Sequence, residues 1–172
     1  FEREPTVEEL SNLLGVEIID LVNKDFDALY AKHLETFDTI FALNVIEHIE
    51  DDQLAIANCK KLLKQGGNLI ILVPAYQWLY NHFDKELYHF RRYLKKEMSG
   101  LFTSNNMEVK HSFYFNFLAI AGWFIFGKLA KKKIIPSTQM SFYNKIVPLA
   151  KLMDVAVMRT MGLSVIVVGE KK

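Results

Sequence analysis

Cysteine is nearly absent from this sequence. Cys59 stands alone among 172 residues, which excludes a disulfide framework and fits a reducing, cytoplasmic setting. Excess charge of either sign is absent too. The chain has 21 Lys and Arg against 20 Asp and Glu, a net charge of +1, so bulk electrostatics points to no nucleic-acid partner. The eight glycines, at 15, 66, 67, 100, 122, 127, 162 and 169, nowhere form a G-x-G-type turn. No HxxxH or HExxH pattern occurs; His82, Asp84 and His89 are the nearest grouping, and no metal is expected. The uninterrupted apolar part of 113–130 runs only from Phe117 to Phe126, well short of the roughly 20 residues that a membrane span needs. The first residues, FEREPTVEEL, are acidic and polar and form no signal peptide. A Phe start leads to the expectation of a fragment.

What is present is apolar and aromatic. Hydrophobic residues make up 51% of the chain, with 13 phenylalanines, enough for one domain over 1–172 with a real core. Thr6–Leu14 reads as a short capped helix and Val16–Leu21 as a strand. Phe26, Leu29, Tyr30 and Leu34 mark a helix, and Thr39–Val45 a strand. Ala55, Cys59, Leu62 and Leu63 repeat at helical spacing behind a cap at Asp51 or Asp52. Gly66-Gly67 is the expected helix stop and Asn68–Val73 the strand that follows. The pattern strand, helix, strand defines a parallel βαβ unit.

Beyond it, Leu94–Phe102 reads as a helix, Asn105-Asn106 as a turn, and Glu108–Phe115 and Leu163–Glu170 as strands. An apolar helical insert, about 116–161, separates these two strands. Its first part, Phe117–Ala130, ends at Lys131-Lys132-Lys133. Three readings are open there: a core helix, a dimer face, or an interfacial helix giving peripheral membrane contact. Its second part, Ser141–Met161, carries Pro148 and stops at Gly162.

The segment Tyr76–Tyr93 has no clean period and is dense in aromatics, His and Arg, as a functional loop would be. Arg91 and Arg92 offer bidentate forks for carboxylate or phosphate, and His89 or Asp84 can accept a proton from a nucleophilic oxygen. The plainer reading is that Asp84 pairs with Arg91 or Arg92 and pins the loop.

Three strings carry a family resemblance: FDTIFALNVIEHI from Phe37, LLKQGGNLIILVPA from Leu62, and WLYNHFDKELYHFRRY from Trp78. Together they resemble the later two-thirds of the class I S-adenosylmethionine-dependent methyltransferases (types 11 and 12). The third string is similar to a bacterial subgroup with a Trp, an Asp and an H-x-R-R-Y pattern. Where that subgroup often has a hydroxyl residue capping the next helix, this chain has Leu94.

The resemblance implies an α/β fold, a three-layer Rossmann-like sheet lacking its first strands, with the apolar insert before a last antiparallel strand. It implies S-adenosyl-L-methionine as cofactor, with Leu43, Asn44 and Val45 lining it and Asp20 beside the adenine amino group. It makes His48 and His89 candidates for proton transfer. It also makes Trp78, Tyr80, Asp84, Arg91, Arg92 and Tyr93 candidates for enclosing the substrate. The implied reaction is methyl transfer to a small or lipid-linked acceptor, at oxygen. The alternative is a noncatalytic remnant that binds a partner or a membrane surface. A sheet without its first strands exposes an edge and an apolar face, so self-association is expected.

Overall fold

The computed structural model describes Glu17, residues 19–125 and residues 137–172. Four strands form one sheet: β1 (Phe37–Leu43), β2 (Leu63–Pro74), β3 (Met107–Phe115) and β4 (Ser164–Lys171), in the order β1-β2-β4-β3. β1 and β2 are parallel, with Thr39 opposite Asn68 and Leu43 opposite Leu72. Helix α2 (Asp52–Leu62) makes their crossover. β4 runs antiparallel to both β2 and β3, as expected of the last strand. Between β3 and β4 lies the insert, with α5 (Ala119–Trp123) and α6 (Ser137–Ala156), the latter continuing through Pro148.

Of the expected strand at Val16–Leu21, the described residues do not join the sheet. Its described positions Glu17, Ile19, Asp20 and Leu21 hold no strand pairing, and Asp20 opens a turn in which its carbonyl accepts from Asn23 N–H at 3.3 Å. An apolar run of this length reads the same whether it pairs or merely packs. The expected helix at Thr6–Leu14, the end of Phe117–Ala130 and the lysine triplet lie outside the described residues. The helix near Phe26 is short: α1 (Phe26–Leu29), then a 3-10 turn at Ala31–His33.

Asp51 rather than Asp52 caps α2, its Oδ1 accepting from Leu54 N–H at 2.9 Å. The helix ends at Leu62, before the Gly-Gly pair, and both glycines serve β2 instead. Gly66 adopts φ +76° where the β1–β2 register shifts. A Cβ on Gly67 would lie 2.9 Å from Lys64 O and 3.2 Å from Asp38 O. The glycines thus allow a bulge and a close strand approach.

Alternation along β2 and β4 buries one face. Leu69, Ile71, Val73, Val165 and Val167 pack with Ala55, Ile56 and Cys59 of α2 and with Met98 and Phe102 of α4 (Lys95–Ser104). Each such side chain contributes about 1.5–3 kcal/mol, whereas exposed ion pairs such as Lys64–Asp38 contribute about 0–1 kcal/mol. Packing on this face therefore holds the sheet to its helices. On the opposite face Phe41 and Leu43 stay 69% and 53% exposed, beside half-buried Ile70 and Leu72.

Candidate functional site

The site grows from the carboxyl ends of the two parallel strands, where open α/β sheets present backbone to a crevice. β1 stops at Leu43. Asn44 then takes φ 55°, a left-handed conformation that Asn tolerates better than most residues, while its N–H donates to Leu72 O at 2.9 Å. Leu43 and Val45 are left exposed on either side of it. A 3-10 turn, Ile46–His48, follows and turns Glu47 inward.

β2 ends at Pro74 and feeds the Tyr76–Tyr93 loop. As expected, the loop holds only short turns: a 3-10 turn at Gln77–Leu79 and α3 (His82–Glu86). Tyr76 carries the strained φ of 62° at the loop's start and stacks on Tyr114 at 5.0 Å. Burial, then Tyr114, pushes its phenol up to about 12. The loop returns along β2, where Tyr93 N–H donates to Pro74 O at 2.9 Å and Tyr76 N–H to Tyr93 O at 3.1 Å.

Asp84 is the loop's internal anchor. It is fully buried, and Oδ1 accepts from Arg92 Nε at 2.7 Å and lies 2.9 Å from His89 Nδ1, while Oδ2 accepts from Asn81 N–H at 2.9 Å. Arg92 also donates to Ala75 O at 3.1 Å, and its guanidinium lies over the Trp123 ring at 4.5 Å. Tyr80 donates its hydroxyl to His89 O at 2.7 Å. The plainer reading thus describes Asp84 and Arg92, which bind each other, the backbone and, through Asp84, His89. Trp78 is 52% exposed, near Tyr76 and Phe124.

Arg91 points elsewhere. It donates to Asp52 Oδ2 and to Glu50 O, each at 2.7 Å, and Tyr93 donates its hydroxyl to the same Asp52 oxygen at 2.8 Å. Burial, then the Asp52 hydrogen bond, raises the Tyr93 phenol far above its ordinary value, so it stays protonated. Asp52, Gln77, Arg91, Arg92, Tyr93, Glu97 and Leu101 line a cleft of about 350 Å³. Leu94 supplies no cap, and Glu97 Oε2 accepts its N–H at 2.7 Å instead.

The two candidate histidines are brought together. Their rings meet edge to face at 4.7 Å, and Phe90 N–H donates to Glu47 O at 2.8 Å, closing the loop onto the turn after β1. His89 is held below its ordinary value by burial, which outweighs Asp84. Asp20 keeps its contacts within its own turn and with Tyr30, whose hydroxyl accepts from Asp20 N–H at 2.9 Å.

Sequence reasoning passed over Glu47 and Asp52 as site residues. Glu47 is 0% exposed, and burial lifts its carboxyl up to about 7. Its signal was weak, an acid beside the apolar Ile46. For Asp52 the signal was the Asp51-Asp52 pair, since one residue suffices for a cap.

The parallel strands, their crossover and the loop above them have counterparts in known proteins. Residues 9–69 match a family model described as a methyltransferase domain. The ubiquinone biosynthesis O-methyltransferase of Saccharophagus degradans is 30% identical over 63 residues, which are 37% of this chain and 27% of that protein. A Bacillus halodurans structure described as a methyltransferase superposes with a TM-score of 0.52 at 19% identity, covering 92% of this chain and 78% of that one. Geranyl diphosphate methyltransferase, solved with S-adenosylmethionine, superposes with a TM-score of 0.56 at 9% identity, covering 95% and 62%. The matched segment is thus similar to a methyltransferase domain, and the fold is the one that solved S-adenosylmethionine-dependent methyltransferases share; the chain spans about a quarter of the length of the curated relative it matches.

Proposed function

We propose that this chain forms the acceptor side of an S-adenosylmethionine-dependent methyltransferase acting on a hydroxyl of a small or lipid-linked molecule. The observation that carries this reading is the β1–α2–β2 crossover, whose strand ends lie beside a loop pinned by the Asp84–Arg92 pair. The cofactor supplies an electrophilic methyl carbon on a sulfonium sulfur. The residues at the end of β1 suit it chemically. Leu43 and Val45 present exposed apolar surface for an adenine ring, and Asn44 offers an amide between them. Asp20, exposed at its turn, is the candidate partner of the adenine amino group.

On the acceptor side, Trp78 and Tyr80 would enclose the molecule. The Arg91, Tyr93 and Asp52 cluster lines the cleft with polar groups for a hydroxylated or anionic acceptor. With a ring nitrogen free of any ligand, His89 or His48 would take the acceptor proton, while Asp84 and Arg92 hold the loop in position. Such transfer relies on alignment and water exclusion more than on a strong base. Among the described residues no helix is long and apolar enough to cross a membrane. The exposed Phe41 and Leu43 support self-association through the open sheet face.

Calorimetric titration of S-adenosylhomocysteine, followed by transfer of labelled methyl to a panel of phenolic and alcoholic acceptors, tests the reading. Binding with transfer to a hydroxyl is expected. Failure of both in the complete protein would overturn it.

A further inference from the structure

Glu47 is fully buried, yet neither of its carboxylate oxygens has a hydrogen-bond partner. Such a group is costly in a fold unless something compensates it. Across from it stands His89 Nε2, 4.0 Å from Oε1. The other ring nitrogen, Nδ1, lies 2.9 Å from Asp84 Oδ1, and Asp84 already accepts from Arg92 and from Asn81 N–H. An ionised carboxylate only accepts, which assigns the proton to Nδ1 and leaves a lone pair on Nε2. When Glu47 is ionised, two acceptors then face each other across 4.0 Å. His48 completes the group: one donor atom each from Glu47, His48 and His89 lie within 4.8 Å of one another.

We propose that Glu47, His48 and His89 form a binding site for a divalent transition-metal ion of the zinc class, with Asp84 orienting His89 through Nδ1. Two imidazoles and one carboxylate suit such ions, whereas magnesium prefers oxygen ligands. A carboxylate behind the second nitrogen of a ligating histidine is the usual support for such a ligand. With metal–ligand bonds of about 2.0–2.2 Å in tetrahedral geometry, two donors on one ion lie roughly 3.3–3.6 Å apart. The three must therefore close by up to roughly 1.3 Å, and His48 is the exposed member of the group, on the side where a side-chain rotation meets solvent rather than core. The solvent side of His48 leaves positions for water. The expectation of no metal rested on local spacing around His82, Asp84 and His89. The fold instead joins the adjacent Glu47-His48 pair to His89 through the Phe90–Glu47 backbone bond.

The test uses the full chain stripped with a chelator, then titrated with zinc chloride by calorimetry and thermal melting, and with cobalt chloride by visible absorption. One zinc ion per chain at micromolar affinity or tighter is expected, with a raised melting temperature and cobalt d–d bands. Glu47→Gln and His48→Ala should each weaken zinc binding at least tenfold. His111→Ala, an exposed histidine on β3, should leave it unchanged. Equal zinc affinity in all three variants would overturn the proposal. So would no binding by a chain whose circular dichroism shows it folded.

Discussion

Asp84 and Arg92 form a fully desolvated ion pair, Oδ1 to Nε at 2.7 Å, that ties the start of α3 to the end of the loop eight residues later. Because the attraction of such a pair is largely offset by the cost of burying both charges, its value shows when one partner is removed. Asp84→Ala should lower stability by about 3–5 kcal/mol, and the double variant Asp84→Ala/Arg92→Met should recover much of that. Urea unfolding of these two variants, Arg92→Met alone and the parent protein checks it; additive losses would mean that the two side chains act independently.

Glu47 carries the pH dependence of the chelator-treated protein. Its carboxyl sits near 7 in the fold against an ordinary 4.5, because burial disfavours the charged form. The stabilisation of the neutral acid is therefore complete below about 4.5 and is lost as pH rises through about 7. The difference is on the order of 3 kcal/mol. Glu47→Gln should flatten this slope in melts taken between those two pH values. An unchanged slope would assign the titration to another group.

Asn44 separates backbone from side-chain roles at the end of β1. Its φ of 55° suits Gly and Asn and is unfavourable for Ala. Asn44→Ala should cost about 1 kcal/mol of stability, and Asn44→Gly much less. If the amide contacts the cofactor, both variants should bind S-adenosylhomocysteine more weakly. Loss in Asn44→Ala alone would mean that only the backbone matters.

Two glycines differ in how their neighbours can yield. A Cβ on Gly169 would meet the Phe102 ring, whereas one on Gly162 would meet the backbone of Phe115. Gly169→Ala should cost about 1–3 kcal/mol and be partly rescued by Phe102→Leu. Gly162→Ala should be the worse of the two and resist side-chain rescue, because β3 itself must shift. Denaturant midpoints rank the variants.

The carbonyl that ends β2 and the returning loop are joined by Tyr93, whose hydroxyl shares Asp52 with Arg91. Tyr93→Phe removes a hydrogen bond to a charged acceptor and should cost about 1.5–3 kcal/mol. Arg91 keeps Asp52 partnered, so the value should fall at the low end of that range in thermal unfolding.

Local sequence determined the elements whose physics is local. The αL turn at Asn106 and a cap at the Asp51-Asp52 pair follow from residue type and spacing, as does a strand through Asn68–Val73, although β2 starts earlier, at Leu63. The βαβ crossover and the lack of any long helix or strand across Tyr76–Tyr93 were legible for the same reason.

Tertiary structure decided which groups meet. Gly66-Gly67 reads equally as a helix stop or a strand bulge, and only the approach of β1 selects the bulge. Val16–Leu21 is apolar enough for a strand, but pairing requires a neighbour that no local pattern encodes. Arg91 and Arg92 are adjacent and chemically identical, yet one reaches Asp52 and the other is buried against Asp84. The meeting of Glu47 with His89 arises the same way: burial and long-range hydrogen bonds are properties of the folded surface, set by which elements pack together rather than by any window of residues.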